Sequence, residues 1–337
     1  MLSAEALETL RGGKSLLAFS GGGDSTALFF LLMEAGIDFD IALVNYHTRP
    51  ESDEEAAYAI TLAEVHRLRC FLHNTSLSAK NFEHEARAER YAFFEGLICS
   101  KGYANLVTAH QLDDRLEWLL MQLCKGAGAV EMTGMQAVED RGSYTLVRPL
   151  LQATKTDLRR YLEAHGHRWF EDATNGDERY RRNYFRRRFA GPMLEAHAAG
   201  IKKSFAYLDE DRAHFEEAVS PEKLGELWWF QTPDSRRAAV SAVDRALKKA
   251  GFLMRRGDRE RLKYEQTVVV GRRYVVTIGP RYTFVVPYEE EVLEKGFKER
   301  CRRLKIEPKM RPYLSREHKA FEKVASLLGD TVDLHGE

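Results

Sequence analysis

The sequence has 337 residues, 44% of them hydrophobic and 30% charged, which is typical of a folded globular protein with two or three domains. Its formal net charge is zero, but the charge is unevenly distributed. Residues 1–178 hold 17 Lys and Arg and 27 Asp and Glu, a net charge of −10, and the remaining residues have a net charge of +10. We therefore expect a polyanionic partner for the second half. No apolar run approaches the roughly 20 residues that cross a bilayer, and the N-terminus does not resemble a signal peptide, so we expect no membrane partner and a cytoplasmic location.

Short apolar runs alternate with helical patterns along the first half of the chain. The predicted strands are 15–20, 40–46, 69–74, 105–110 and 144–150, and the predicted helices are 26–35, 54–68, 81–101, 112–125 and 155–165. This alternation predicts the fold class: a doubly wound parallel α/β sheet. Ligands of such sheets bind beyond the carboxyl ends of the strands, so the loops after Phe19, Tyr46 and Ala109 should converge on one site.

The rest of the chain carries weaker patterns. Residues 126–142 are rich in glycine and are predicted to form a loop, and residues 190–250 look mainly helical. Residues 266–287 differ, because β-branched and aromatic residues fall in short runs separated by glycines, which predicts a β-hairpin or meander. A charged helix and a basic stretch follow.

The segment SGGGDS, residues 20–25, lies between a predicted buried strand and a predicted helix. Glycines allow backbone amides to close around an anion, the helix N-terminus adds its positive end, and the serines add hydroxyl donors. Asp24 would repel a bare phosphate, which implies either a bridging Mg²⁺ or an N-cap role. We therefore interpret the segment as a nucleotide-phosphate loop, in preference to a tight turn capped by Asp24.

Six segments in chain order, covering about residues 14–190, resemble motifs of the tRNA(Ile)-lysidine synthetase family, within the PP-loop ATPase superfamily. They read LLAFSGGGDSTAL, VNYHTRPESDEEA, EARAERYAFF, LVTAHQLDDRLE, VRPLL, and FEDATN followed by YRRNYFR. The first differs from a kinase P-loop, since no G-K-[ST] follows and there is no lysine for a γ-phosphate. The resemblance implies that ATP is bound by Ser20, Gly21, Gly22, Gly23, Asp24, Ser25 and Asn45.

The resemblance also implies an activity and its partners. ATP would adenylate the C2 oxygen of the wobble cytidine in the CAU-anticodon isoleucine tRNA, and the ε-amine of free L-lysine would then displace AMP. Mg²⁺ would accompany the ATP. The expected organisation is a PP-loop catalytic domain at 1–190, a helical linker or subdomain at 191–250, and a small basic C-terminal domain at 251–337 that contacts tRNA.

His110 ends the fourth predicted strand at the ligand edge, and Asp114 and Glu117 share one face of the helix that follows. Carboxylates there could hold Mg²⁺ or the lysine ammonium, or accept the proton that the amine must lose. The alternative is that Asp113 and Asp114 are first-turn residues favoured by the helix dipole, and we prefer that alternative for Asp113. We expect His110 and Asp114 to be catalytic, Glu117 to bind substrate, and Asp24 with Asp114 to bind the metal.

Two groups of arginines are further candidates. Arg87 and Arg90, one helical turn apart, could neutralise charge that develops on the α-phosphate, although glutamates nearby compete for Arg87, and the family motif favours Arg90 as catalytic. Residues 179–188, RYRRNYFRRR, interleave six arginines with aromatics that could stack on unpaired bases, although a core role is preferred for Phe185. The motif implies a catalytic Arg186, and the expected substrate-binding residues are Glu117, Arg87, Arg182, Asn183, Arg187 and Arg188.

The sequence departs from the family pattern at several places. Tyr46, Gln111 and Trp118 replace the usual histidine, second histidine and threonine, and Trp118 affects the expected lysine pocket. The spacing between Arg182–Asn183 and Pro192 is one residue longer than the family pattern. None of these departures removes a residue with an assigned chemical role.

Other functions stay open on the residues alone. A PP-loop tRNA thiolase needs reactive cysteines, and the four present form no C-x-x-C pair, although Cys99 and Cys124 keep this alternative alive. An amidotransferase-type synthetase would leave the arginine run unexplained. A non-catalytic RNA-binding protein on a PP-loop fold is the alternative outside the enzymes. The oligomeric state is not readable from the sequence, so a homodimer stays open.

Overall fold

The computed structural model describes residues 1–48, 51–76, 82–171 and 181–329, without the side chains of Glu83 and His84. The chain divides into two compact units, Met1–Arg212 and Ala213–Glu337. Arg179 and Tyr180 of the predicted RNA-binding run, and the FEDATN motif from its third residue, 172, onward, lie outside the described residues. No helix in the described part of the chain is long and apolar enough to span a membrane.

The first unit contains the predicted parallel sheet. Its strands, in chain order, are β1 Ser15–Ala18, β2 Phe39–Asn45, β3 Cys70–Asn74, β4 Asn105–Val107, β5 Val138–Asp140 and β6 Thr145–Val147. Their spatial order is β3-β2-β1-β4-β6-β5, with parallel pairing throughout except for β5, which pairs antiparallel with β6 at one edge. The expected fold class is therefore confirmed. The edge strand β5 lies within the stretch that was predicted as a loop.

Helices cover both faces of this sheet because successive residues of its strands point to opposite sides. Leu17 packs with Phe29 and Ala59 on one face, whereas Leu16 packs with Phe94 on the other, and both leucines are completely buried. The helices of the unit are α1 Ala4–Arg11, α2 Gly23–Glu34, α3 Glu51–Val65, α4 Phe82–Lys101, α5 Leu112–Leu123, α6 Ala129–Thr133, α7 Lys155–His165, α8 Arg181–Phe185, a π turn Arg186–Ala190, and α9 Gly191–Ala218, which runs past the boundary of the unit.

The second unit contains an antiparallel sheet of order β7-β8-β11-β10-β9. Its strands are β7 Glu222–Leu224, β8 Leu227–Gln231, β9 Thr267–Val270, β10 Tyr274–Ile278 and β11 Tyr282–Pro287. Its helices are α10 Arg236–Lys249, α11 Arg256–Leu262, α12 Lys295–Arg303, α13 Arg311–Arg316 and α14 His318–Gly329, with a 3-10 turn at Pro308–Met310. The predicted meander is confirmed as β9, β10 and β11.

The expected mainly helical character of residues 190–250 is confirmed by α9 and α10, and two strands, β7 and β8, lie between these helices. Trp228 and Phe230 pack into one hydrophobic cluster, while Leu227 and Trp229 pack into another on the opposite face. A strand that is buried on both faces shows no polar alternation, so its apolar run cannot be distinguished from a buried helix by periodicity alone.

The two units do not coincide with the boundaries expected after residues 190 and 250. Leu194 and Phe205 of α9 pack in a cluster with Leu112 of α5, and Arg115 of α5 donates two hydrogen bonds, of 2.7 and 3.1 Å, to Asp209. The first part of the expected linker therefore packs against α5. Its later part forms β7, β8 and α10 of the second unit.

Candidate active site at the carboxyl edge of the parallel sheet

The loop that follows β1 is held in shape by its two serines. The Ser25 hydroxyl donates to the carbonyl oxygen of Gly22 at 3.0 Å, accepts from the backbone N–H of Ser20 at 3.2 Å, and lies 3.0 Å from the Ser20 hydroxyl. Gly21 adopts a φ of +73°, where a side chain would be strained and would also contact Glu55. The glycines of the predicted phosphate loop therefore serve its backbone geometry.

Helix α2 begins directly from this loop. Gly22 is the N-cap residue, and no side chain of the described residues caps the first turn. Asp24 lies inside the first turn, so the alternative that Asp24 caps the helix is wrong. The first amides of α2 need other partners, and an anion at a helix N-terminus provides them.

Asp24 faces an acidic cluster at the start of α5. Burial, together with the negative charges of Asp114 and Asp113, raises the pKa of Asp24 to about 6, although Lys155 and a hydrogen bond from Gln111 act in the opposite direction. This arrangement brings together the phosphate loop and the loop after β4, as the parallel topology predicts. In the described part of the chain, no group of three or more His, Cys, Asp or Glu side chains is arranged to hold a metal ion. Two carboxylates beside nucleotide phosphates nevertheless suit Mg²⁺, which usually takes one or two protein carboxylates and keeps several waters.

The N-terminus of α5 is fixed by a capping box. The Gln111 side chain accepts from the backbone N–H of Asp113 at 2.6 Å, and Asp114 Oδ2 accepts from the backbone N–H of Gln111 at 3.0 Å. Asp113 accepts from the backbone N–H of Lys155 at 3.0 Å, which joins α5 to the start of α7. Gln111, the residue that replaces the second histidine, therefore has a capping role, and Asp113 has the structural role that the sequence favoured.

Two arginines bind the carboxylates of α5. Arg182 donates to Asp114 Oδ1 at 2.6 Å and to Glu117 Oε2 at 2.8 Å, and Arg186 donates from Nε to Glu117 Oε1 at 2.5 Å. Asp114 is 8% exposed and Glu117 only 1%. Although burial opposes it, the charges of Asp114 and Glu117 raise the pKa of Arg182. The structure thus brings together four of the predicted residues in one ion-pair network.

His110 lies beside this network at the end of β4. Burial lowers its pKa to about 4; Asp114 acts in the opposite direction, and the positive charges of Arg148, Arg182 and Arg87 lower it further. Its Nδ1 lies 2.9 Å from the Thr108 hydroxyl. At neutral pH His110 is therefore an uncharged imidazole, suited to hydrogen bonding rather than to carrying a fixed positive charge.

Arg148 is a site residue that the sequence reasoning did not assign. It follows β6 in the VRPLL segment, is 5% exposed, and bonds through Nη1 to the Gln136 carbonyl at 2.9 Å and to Glu139 at 3.0 Å. Its Nε has no hydrogen-bond partner within the described residues. The signal was present, because an arginine in an otherwise apolar run beside the ligand edge is a costly choice for a merely structural position.

The structure places Arg87 and Arg90 on the exposed side of α4. The Arg87 guanidinium lies 4.7 Å from the ring centre of Tyr91, and its charge reaches His110, so it faces the site. Arg90 lies near Tyr46, whose pKa is raised by burial and lowered in part by the Arg90 charge. Glu89, one of the glutamates that could have paired with Arg87, instead has its Oε1 2.9 Å from His73 Nε2.

Asn45 lies at the end of β2 with its amide engaged locally. Its Nδ2 donates to Asp53 at 2.7 Å, and its Oδ1 accepts from the backbone N–H of His47 at 2.9 Å. His47 has a φ of +51°, so the buried amide stabilises a strained turn. The geometry shows Asn45 ordering the loop after β2, and its expected ATP contact stays a prediction.

A π turn lies directly before Pro192, where the sequence predicted an extra residue. The backbone N–H of Gly191 bonds to the carbonyl of Arg186, five residues earlier, where an α-helix would use a partner four residues earlier. Asn183 is half-buried, Arg187 and Arg188 are exposed, and Phe185 is buried, as preferred from the sequence. Arg182 and Arg186, before and at the start of this turn, both reach α5.

Trp118, another departure, packs against the segment around α6. Its ring is 41% exposed, its Nε1 donates to the Glu131 carbonyl at 2.9 Å, and a Cβ added at Gly134 would lie 2.3 Å from it. Gly134 therefore leaves the space that the indole occupies. Because Trp118 directly follows Glu117, this packing helps to fix the position of the buried carboxylate.

Comparison with known proteins adds to this geometry. Residues 3–192 match a family model described as a PP-loop domain. The chain is 44% identical over 307 residues to a tRNA(Ile)-lysidine synthase of Wolinella succinogenes, and the alignment covers 91% of this chain and 94% of that protein. It is 39% identical over 311 residues to a Campylobacter jejuni protein of the same name, and that alignment covers 92% of this chain and 95% of that protein. Among solved structures, a U34-tRNA thiolase NcsA from Methanococcus maripaludis aligns with a TM-score of 0.52 at 15% identity, over 62% of this chain and 77% of that one, which shows a shared fold.

Proposed function

This chain belongs to the tRNA(Ile)-lysidine synthase family, and on that premise we propose that it joins lysine to the wobble cytidine of the CAU-anticodon isoleucine tRNA at the expense of ATP. An ATP-dependent tRNA-modifying enzyme is the broader statement that the family supports. The proposal is supported chiefly by the position of the glycine loop at the start of α2. This loop lies beside the buried Asp114 and its neighbour Asp113, at one edge of the parallel sheet.

The first half-reaction uses the loop after β1. The amides at the start of α2 bind the phosphates of ATP, and the C2 oxygen of cytidine attacks the α-phosphorus. The bond between the α-phosphorus and the bridging oxygen breaks, pyrophosphate leaves, and the base is adenylated. In this reaction Arg90 and Arg186 offset the negative charge that develops on the α-phosphate. When bound by Asp24 and Asp114, Mg²⁺ would supply further charge neutralisation for the triphosphate.

The second half-reaction uses the carboxylates of α5. The lysine ε-ammonium binds beside Asp114 and Glu117 and gives a proton to one of these carboxylates, the resulting amine attacks C2, and the C2–O bond breaks to release AMP. Arg182 and Arg186 form ion pairs with these carboxylates. Lysine must therefore enter a site whose charges are already balanced, so its binding is expected to require rearrangement of at least one of these arginines.

His110 contributes a neutral group next to these reacting centres. With Nδ1 engaged by Thr108, its Nε2 is the atom available to the nucleotide or base. A neutral imidazole can donate or accept there according to its tautomer, without adding charge to a site that already contains several cations.

The products of ATP test the proposal directly. The protein is incubated with Mg²⁺, ATP labelled at the α-phosphate, lysine, and tRNA, and nucleotides are separated. We expect AMP and pyrophosphate in equal amounts, formed only when tRNA is present. Stoichiometric ADP would overturn the proposed adenylation, and AMP formation that needs a sulfur donor instead of lysine would favour the thiolase alternative.

A further inference from the structure

Two large aromatic side chains lie exposed and in contact on the segment that carries Arg182 and Arg186. Tyr184 is 43% exposed and Phe189 is 42% exposed, and their ring centres are 5.8 Å apart at an angle of 71°. The buried ring of Phe185 packs against both rings: its centre lies 6.0 Å from that of Tyr184 and 5.5 Å from that of Phe189. The protein therefore presents two braced aromatic rings to solvent.

The pairing of these rings depends on the π turn. In a regular α-helix, residues five apart point in directions roughly 140° apart, so Tyr184 and Phe189 would not share a face. The bond from the Gly191 N–H to the Arg186 carbonyl makes this turn wider than a regular α-helical turn, and Phe189 lies beside Tyr184. The extra residue that marks this sequence is thus connected with the exposed pair.

The surroundings of the pair are basic. Arg181, Arg187 and Arg188 are exposed on the same short segment, and the Arg181 guanidinium lies 5.7 Å from the ring centre of Phe185. Flat aromatic faces among guanidinium groups suit unpaired nucleotides, because the bases stack on the rings and the phosphates pair with the arginines. A docking surface for a protein would also use the apolar rings, but the positive charge around them favours a polyanion.

We propose that Tyr184 and Phe189 form a stacking platform for an unpaired base of the tRNA anticodon loop, adjacent to the base that is modified. This inference rests on the proposed function. On the same segment Arg182 and Arg186 bind the buried carboxylates of α5, whereas Tyr184, two residues from each of them, points to the other side of the helix, so a base held on the platform is separated from these carboxylates by one helix diameter, roughly 10 Å. The platform positions the loop and takes no part in bond making.

The experiment uses the full chain and a stem-loop RNA with a CAU anticodon, in which 2-aminopurine replaces the loop adenine of that triplet. Stacking on an aromatic side chain quenches the fluorescence of this base. We expect quenching on binding to the wild type, and a Kd about 5- to 100-fold weaker for Phe189→Ala. Phe189→Leu, which keeps an apolar side chain of similar size, should also lose the quenching. Tyr184→Phe and Phe189→Trp keep an aromatic face and should retain both affinity and quenching.

Controls separate stacking from folding and from the proposed function. ATP binding without RNA and the thermal midpoint should be unchanged in Phe189→Leu. Wild-type affinity and quenching in Phe189→Leu would overturn the platform, as would an equal loss of affinity in Tyr184→Phe, which would indicate a hydroxyl contact instead. If the wild type modifies no tRNA but the quenching pattern holds, the platform stands and the proposed reaction fails.

Discussion

Arg186 donates a hydrogen bond of 2.5 Å to Glu117, a carboxylate that is almost completely buried in α5. Arg182 binds the other oxygen of the same carboxylate. Two arginines from the start of the basic half of the chain therefore bind a carboxylate of the acidic half.

Removing Glu117 should destabilise the first unit. Glu117→Ala leaves Arg182 and Arg186 with Asp114 as their remaining partner, and breaking a buried pair costs about 3–5 kcal/mol. The cost here should be lower, since the Arg182 side chain retains access to water. Urea unfolding without ligands measures it. The matched control is Arg159→Ala, which breaks the exposed pair with Glu171 and should change stability by about 1 kcal/mol or less. Equal stability of Glu117→Ala and the wild type would show that the network adds nothing.

Asp114→Ala should lose tRNA modification while tRNA affinity stays nearly unchanged. Asp114 contacts Arg182 and the start of α5 at the acidic edge, away from the exposed arginines that are expected to bind phosphates. Lysine incorporation and tRNA binding are measured on the same preparation. Asp113→Asn, which keeps an acceptor for the Lys155 amide, serves as the control and should remain active. Wild-type turnover in Asp114→Ala would remove Asp114 from the catalytic groups.

His110 should make folding stability depend on pH. Its folded-state pKa of about 4 is below the ordinary value, so between these values the unfolded chain binds more protons. The stability contributed by neutral His110 is present above about pH 6.5 and is lost as the pH falls towards 4. The difference in unfolding free energy between the wild type and His110→Asn, measured with a chelator present, should therefore shrink over this range. An unchanged difference from pH 7 to pH 4 would contradict the buried neutral imidazole.

Much of the fold could be predicted because its signals are local. The apolar runs of β1 and β2, the glycine loop and the helical spacing of α5 each specify their own element, and the parallel topology then places their carboxyl ends together. Strand β8 was missed since burial on both faces removes alternation. The predicted strand 105–110 is shorter than expected, because the chain leaves the sheet after Val107 to place His110.

The sequence predicted which residues belong to the candidate site but not which of them bind each other. Sequence spacing placed Asp114 and Glu117 on one helix face, yet the binding of Arg182 and Arg186 to them depends on how α8 and the π turn pack against α5. Arg148 was missed because its burial is a tertiary property. Phe189 was missed because a helix of regular pitch would not place it beside Tyr184. The one-residue excess in spacing was the sequence signal for that local change.

Arg187 and Arg188 should strengthen tRNA binding through charge alone. Both are exposed beyond the matched motif, and removing one arginine–phosphate interaction should reduce the log–log salt slope by roughly 0.7 to 0.9. Replacing both with Ser should raise the KM for tRNA and flatten the slope by roughly 1 to 2 units, while ATP binding without tRNA stays nearly unchanged. Arg11→Ser with Arg69→Ser is the charge-matched control, because both residues lie at the opposite, amino-terminal edge of the sheet. A wild-type slope in the Arg187/Arg188 variant would mean that these residues do not touch RNA.

The position of lysine in the product decides whether this chain forms lysidine. The protein is incubated with ATP, Mg²⁺, isotopically labelled lysine and total tRNA, and the tRNA is digested to nucleosides and analysed by mass spectrometry, with unlabelled ornithine as a competitor because Trp118 borders Glu117. We predict that the label enters a single isoleucine tRNA and that the mass of its wobble cytidine increases by that of one labelled lysine less one water. Ornithine should compete only weakly with lysine. Label in no tRNA, a sulfur-containing nucleoside, or equal incorporation of ornithine and lysine would contradict the account.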